Sequence, residues 1–161
     1  MLRLERVAAV IVAALVVAGC AGSPASRTAD RDEPDQPSPI AQRSINAAQL
    51  LLDRGDAEAA LAEAQTAVRA DPRSAAAHVM RGMALEALGR GIEAGEDYKE
   101  ALDLAPTSGP VLNAYGAWLC RRGRTDDALK AFGDALADDD YRQPTQALAN
   151  AGSCAAEAGR V

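Results

Sequence analysis

Small residues recur along this chain at a fixed interval. Gly55, Gly89 and Gly123 lie 34 residues apart, as do Ala60, Ala94 and Ala128, and Ala67, Ala101 and Ala135. Gly82 and Gly116 keep the same spacing, and "RADPRS", with Pro72, is answered by "DLAPTS", with Pro106. Such a period marks one supersecondary unit repeated along the chain, each copy burying its apolar face on the next. Within the third copy Leu112, Tyr115, Gly116 and Leu119 share one helical face, and Leu129, Phe132, Ala135 and Leu136 share a face of the helix that follows. Gly123 and Arg124 form the turn between them. Gly116 and Ala128 let the two axes approach, with Phe132 filling the space further along, which accounts for a helical glycine that costs about 1 kcal/mol relative to Ala. Pro72 and Pro106 stop each second helix, and Ser74 and the Ser108-Gly109-Pro110 stretch start the next. The first copy has Ala64 where Tyr98 and Phe132 stand later, so its helices are expected to be the least well packed.

This set of offsets resembles the tetratricopeptide repeat. The fold expected is all-α, a right-handed superhelix of antiparallel helix pairs with repeats over 41–74, 75–108 and 109–144 and the first helix of a fourth over 145–161. Composition agrees: 48% of residues are hydrophobic but only 3% aromatic, so the core is built mainly from Ala, Leu and Val.

The inventory of side chains narrows the function. A net charge of -6 argues against nucleic acid as a partner. His78 is the single histidine, has no partner close in sequence, and reads as a surface position. No His, Cys or Glu spacing matches a metal site, and nothing suggests a small-molecule substrate, a cofactor or an enzyme.

The amino end reads differently. Arg3 and Arg6 precede thirteen uncharged residues, "VAAVIVAALVVAG", which end at Cys20. A membrane-spanning helix needs about twenty apolar residues, so 1–19 is expected to be a secretory signal. Val17-Ala18-Gly19-Cys20 resembles the lipobox of bacterial lipoproteins, in which the cysteine sulfur is acylated; the resemblance implies a covalent lipid on Cys20. Ala21, where retention at the inner membrane usually goes with Asp, implies an anchor on the periplasmic face of the outer membrane. Residues 20–40, rich in Pro, Ser, Asp and Arg, are expected to be a flexible tether reaching about 25 Å as a coil.

The fourth unit follows an altered joint, "ADDDYRQP", with Gly152 36 rather than 34 residues after Gly116. Adjacent Asp side chains point apart, unlike a calcium loop, so the aspartates read as a solvated turn. Cys120 and Cys154 both fall on first helices, which lie side by side on the concave face of such a stack. In an exported protein they form either a disulfide or two buried thiols acting as small apolar residues.

With these residues placed, the segment from Leu112 onward resembles the outer-membrane lipoproteins of type IV pilus biogenesis, the pilotins made of tetratricopeptide units. The resemblance lies in Asn113, Gly116, Leu119-Cys120, Tyr141, Pro144, Asn150, Gly152 and Cys154 taken in that order. It implies a scaffold that helps to place and assemble a secretin subunit; a second reading is an adaptor for another envelope protein, in cell-wall synthesis or outer-membrane protein insertion. The residues themselves indicate a groove for a helix or extended peptide along the inner face of the first helices. Ile45, Gln49 and Leu52 come from the first unit, Val79, Met83 and Glu86 from the second, and Asn113, Ala117 and Arg121 from the third. Val79 and Ala117 serve equally as packing between repeats, Asn113 bonds either a ligand backbone or a local carbonyl, and Trp118 belongs to the packing.

Overall fold

The computed structural model describes residues 36–160. The leader, Cys20 and the tether up to residue 35 lie outside the described residues. Seven helices follow one another: α1 Pro39–Asp53, α2 Ala57–Ala70, α3 Ala75–Ala87, α4 Gly91–Leu104, α5 Gly109–Arg121, α6 Thr125–Leu136 and α7 Pro144–Glu157. There is no strand among the described residues, and none of these helices is long and apolar enough to cross a membrane.

Local chemistry sets the helix ends. Gly55, Gly89, Gly123 and Gly159 all have positive φ, between 68° and 80°, and each closes a first helix. Ser38, Asp56 and Ser74 cap α1, α2 and α3 by accepting from the backbone N–H groups of Ala41, Ala59 and Ala77. Ser38 and Pro39 start α1 inside the span expected to be tether, because Pro is pre-organised for the first helical position.

Pairing follows the period. The pairs α1–α2, α3–α4 and α5–α6 pack together, and each first helix also touches the next, α1 with α3, α3 with α5 and α5 with α7. Each second helix packs in turn against the following first helix, α2 on α3, α4 on α5 and α6 on α7. The first helices therefore form the inner row of the stack.

The expectation that the first pair is loosely packed is not met. Ala41, Ala48, Ala60, Ala64 and Ala67 are all 0% exposed. The reason is a paired exchange between facing positions. A Cβ on Gly82 would lie 3.0 Å from the Tyr98 ring and one on Gly116 2.8 Å from the Phe132 ring, so in these pairs a ring sits on a bare backbone. Ala48 and Ala64 occupy the corresponding positions of the first pair, where a methyl group on each side replaces the ring on glycine. Phe132 is thus seated on Gly116 itself, not further along.

The altered joint is also more than a solvated turn. Asp139 and Asp140 are exposed, but Asp138 is half-buried and its Oδ2 accepts the Gly109 N–H at 2.6 Å, holding the start of α5. Asp71 does the same for the first pair, accepting the Ser38 N–H at 2.8 Å. Tyr141 packs with Leu112, Ala135 and Ala147, close against Gly109.

Candidate functional site

Along the inner row runs a groove of about 510 Å³. Its walls include Ile45 and Gln49 of α1, Val79 and Met83 of α3, and Asn113, Ala117 and Arg121 of α5. Gln146 and Asn150 of α7 and the joint residues Tyr141 and Gln143 extend it towards the carboxy end. The periodicity explains the assembly: these positions recur on one face of successive first helices, and the turn geometry at each glycine brings the next first helix alongside.

Two of the residues expected in the groove lie outside its lining. Leu52 turns into the core between the first two pairs, packed against both of the apolar clusters found there. Glu86 is held away from solvent as an acceptor: Arg121 donates to its carboxylate from Nε at 2.8 Å and from Nη2, and the Tyr98 phenol donates at 2.8 Å. Burial first, then the Glu86 charge, pushes the Tyr98 phenol well above its ordinary pKa, so it remains a neutral donor. Arg121 reaches from α5 to α3 to make this pair, and thus ties two repeats along the groove wall.

Asn113 is bound neither to a local carbonyl nor left free. Its Oδ1 accepts from Asn150 Nδ2 at 3.0 Å, joining α5 to α7. Further along the same two helices, two turns on in α5 and one in α7, Cys120 and Cys154 are joined by a disulfide with their Cα atoms 5.8 Å apart. Arg160 completes this end by pairing with Asp126. Trp118 is buried between repeats: its Nε1 donates to the Gly91 carbonyl at 2.9 Å and its ring occupies the space a Cβ on Gly95 would need. The Tyr141 hydroxyl, buried beside the groove, has no hydrogen-bond partner, and burial raises its pKa.

His78 departs most from its expected place. It is 6% exposed, with Nδ1 3.1 Å from Asp97 Oδ1 and Nε2 3.0 Å from the Pro72 carbonyl oxygen. Arg81 donates to both oxygens of Asp97, from Nε at 3.0 and 2.8 Å and from Nη2 at 2.5 Å. Both ring nitrogens of His78 face acceptors, so the imidazolium satisfies both contacts whereas the neutral ring can donate only one. The bond to Asp97 raises the His78 pKa against the opposing effect of burial. Burial alone would raise Asp97, but its bonds to His78 and Arg81 outweigh this and hold it below the usual carboxylate range. The cluster braces the loop after the first repeat against both helices of the second. Among the described residues no group of His, Cys, Asp and Glu side chains could hold a metal ion.

The comparisons with known proteins agree with this geometry. The family model described as tetratricopeptide repeat matches residues 45–109 and 119–161. No curated protein matches the sequence closely enough to be called a relative. Among solved structures, PilW, described as a widely conserved type IV pilus biogenesis factor, is 29% identical with a TM-score of 0.70, over 76% of this chain and 56% of that one. PilF of Pseudomonas aeruginosa is 26% identical with a TM-score of 0.69, over 75% of this chain and 55% of that one. The first repeat domain of Spaghetti (RPAP3), bound to the HSP90 peptide SRMEEVD, shares the fold alone: 16% identity and a TM-score of 0.62, over 74% of this chain and 94% of that one. The chain thus spans a little over half the length of the two pilus proteins it resembles. With the family model matching well over half of the sequence on a stack of helix pairs, this chain belongs to the tetratricopeptide-repeat family, whose fold is a scaffold for protein–protein interaction.

Proposed function

We propose that this chain is a lipid-anchored scaffold of the outer membrane that captures a segment of a secretin subunit in its groove and assists secretin placement and assembly in type IV pilus biogenesis. The observation that carries the reading is the 29% identity to PilW over 76% of this chain, at a TM-score of 0.70. The sequence Val17-Ala18-Gly19-Cys20 supports an acylated Cys20 as the anchor. In this reading the tether lets the helical stack stand off the membrane, and the anchor concentrates captured subunits where the ring is built. No catalysis and no cofactor beyond the covalent lipid is required.

The test is a clean deletion strain, complemented with the wild-type gene or with Cys20→Ala. Both the deletion and the variant should lose heat- and detergent-resistant secretin multimers from the outer membrane and lose surface pili. Metabolic palmitate labelling should mark the wild type and not Cys20→Ala. Normal secretin multimers and pili in the deletion strain would overturn the assignment in favour of another envelope partner.

A further inference from the structure

Granted that the groove captures a peptide, we infer that it selects an uncharged, largely apolar stretch internal to a partner chain and rejects acidic segments and free carboxyl termini. In a chain in which 25% of residues are charged, Arg121 is the only charged side chain among the described residues that line the groove. Its guanidinium is already matched by Glu86 through two N–H groups, and the side chain of Glu86 is only 15% exposed. The acid is occupied in turn, since it accepts from the Tyr98 phenol as well.

An incoming carboxylate would therefore meet a guanidinium whose charge Glu86 already offsets, and any shift of Arg121 towards it would leave a largely buried acid without its cation. The net charge of -6 adds a repulsive field against any anionic peptide. A cationic segment gains from that field but finds no acid to pair with among the described residues that line the groove. What the groove does offer is an apolar floor that includes Val79, Met83 and Ala117, with the side-chain amides of Gln143 and Gln146 at its carboxy end. Those amides both donate and accept, which matches the alternating N–H and C=O groups of an extended main chain. Met83 adds a side chain that adapts to the shape of the occupant.

The purified protein would be panned against phage-displayed random dodecapeptides, and the enriched peptides synthesised and measured by fluorescence anisotropy beside SRMEEVD. The enriched cores should be uncharged, and their affinity should change by less than about threefold between low and high salt. SRMEEVD should not bind measurably to the wild type, but Glu86→Gln, which frees Arg121, should improve its binding by at least about tenfold. If Glu86→Gln fails to fold by circular dichroism, the wild type decides: adding a single Asp to the core of an enriched uncharged peptide should weaken its binding by at least about tenfold. Enrichment of acidic peptides, strong salt dependence, no enrichment at all, or an Asp-bearing peptide that binds as tightly as its uncharged parent would each overturn the inference. The cellular assay is separate. Acidic peptides enriched alongside secretin loss would refute this chemistry but keep the pilus assignment, and uncharged peptides enriched alongside normal pili would do the reverse.

Discussion

The seat of Phe132 on Gly116 predicts a change of sign. In the wild type a methyl group added at Gly116 would lie 2.8 Å from one ring carbon of Phe132 and 2.9 Å from the next. Overpacking of this kind costs about 1–3 kcal/mol, against about 1 kcal/mol gained by replacing glycine in a helix interior. Gly116→Ala alone should therefore be neutral to destabilising by about 2 kcal/mol. Phe132 is 1% exposed, and Phe132→Ala should cost about 3–5 kcal/mol. In that background the obstacle is gone, and Gly116→Ala should stabilise by about 1 kcal/mol while filling part of the cavity. The double variant recreates the Ala48–Ala64 arrangement that the first repeat already packs at 0% exposure. Urea unfolding followed by circular dichroism on the four proteins gives the cycle, with an expected coupling of about 1–3 kcal/mol. The same effect of Gly116→Ala in both backgrounds would refute the argument that the ring, and not backbone geometry, requires glycine there.

Two further outcomes follow from the braces between repeats. His78 gains partners on folding and its pKa is raised, so its contribution is complete below the unfolded value near 6.5 and is lost as pH rises through the folded value. The stability gap between the wild type and His78→Gln, measured by urea unfolding, should therefore shrink as pH is raised above 6.5; a gap independent of pH would remove the imidazolium from the account. Opening the Cys120–Cys154 bond, which closes a loop of 34 residues, should destabilise by about 4 kcal/mol on the chain-entropy model. Hydrogen exchange should then show α7 opening ahead of α1 to α6, and uniform loss of protection along the chain would contradict a local role for the bond.

The helix pairs were legible because their determinants are local and repeated: a glycine at each turn, a proline after each second helix, and small residues at the crossing points. The inner face could be read for the same reason, and most of the expected groove residues line it. What escaped were contacts between residues far apart in sequence. Asp97 stands 19 residues after His78, and Asn150 stands 37 after Asn113. A signal for the first was present. Shifting His78 and Asp97 forward by one period lands on Leu112 and Ala131, both buried, which marks the two positions as facing the core in the third repeat. Glu86 was misplaced because periodicity fixes which face a residue occupies but not whether its side chain is drawn aside by an arginine on the next repeat.

The inner row of helices has a mechanical consequence. At every joint between repeats the incoming first helix packs against both helices of the repeat before it, α3 on α1 and α2, α5 on α3 and α4, and α7 on α5 and α6. Two further links, the bond between Cys120 and Cys154 and the strap from Arg121 to Glu86, tie first helix to first helix directly. The spacing of the first helices is therefore fixed from two sides, and the inner channel keeps its width.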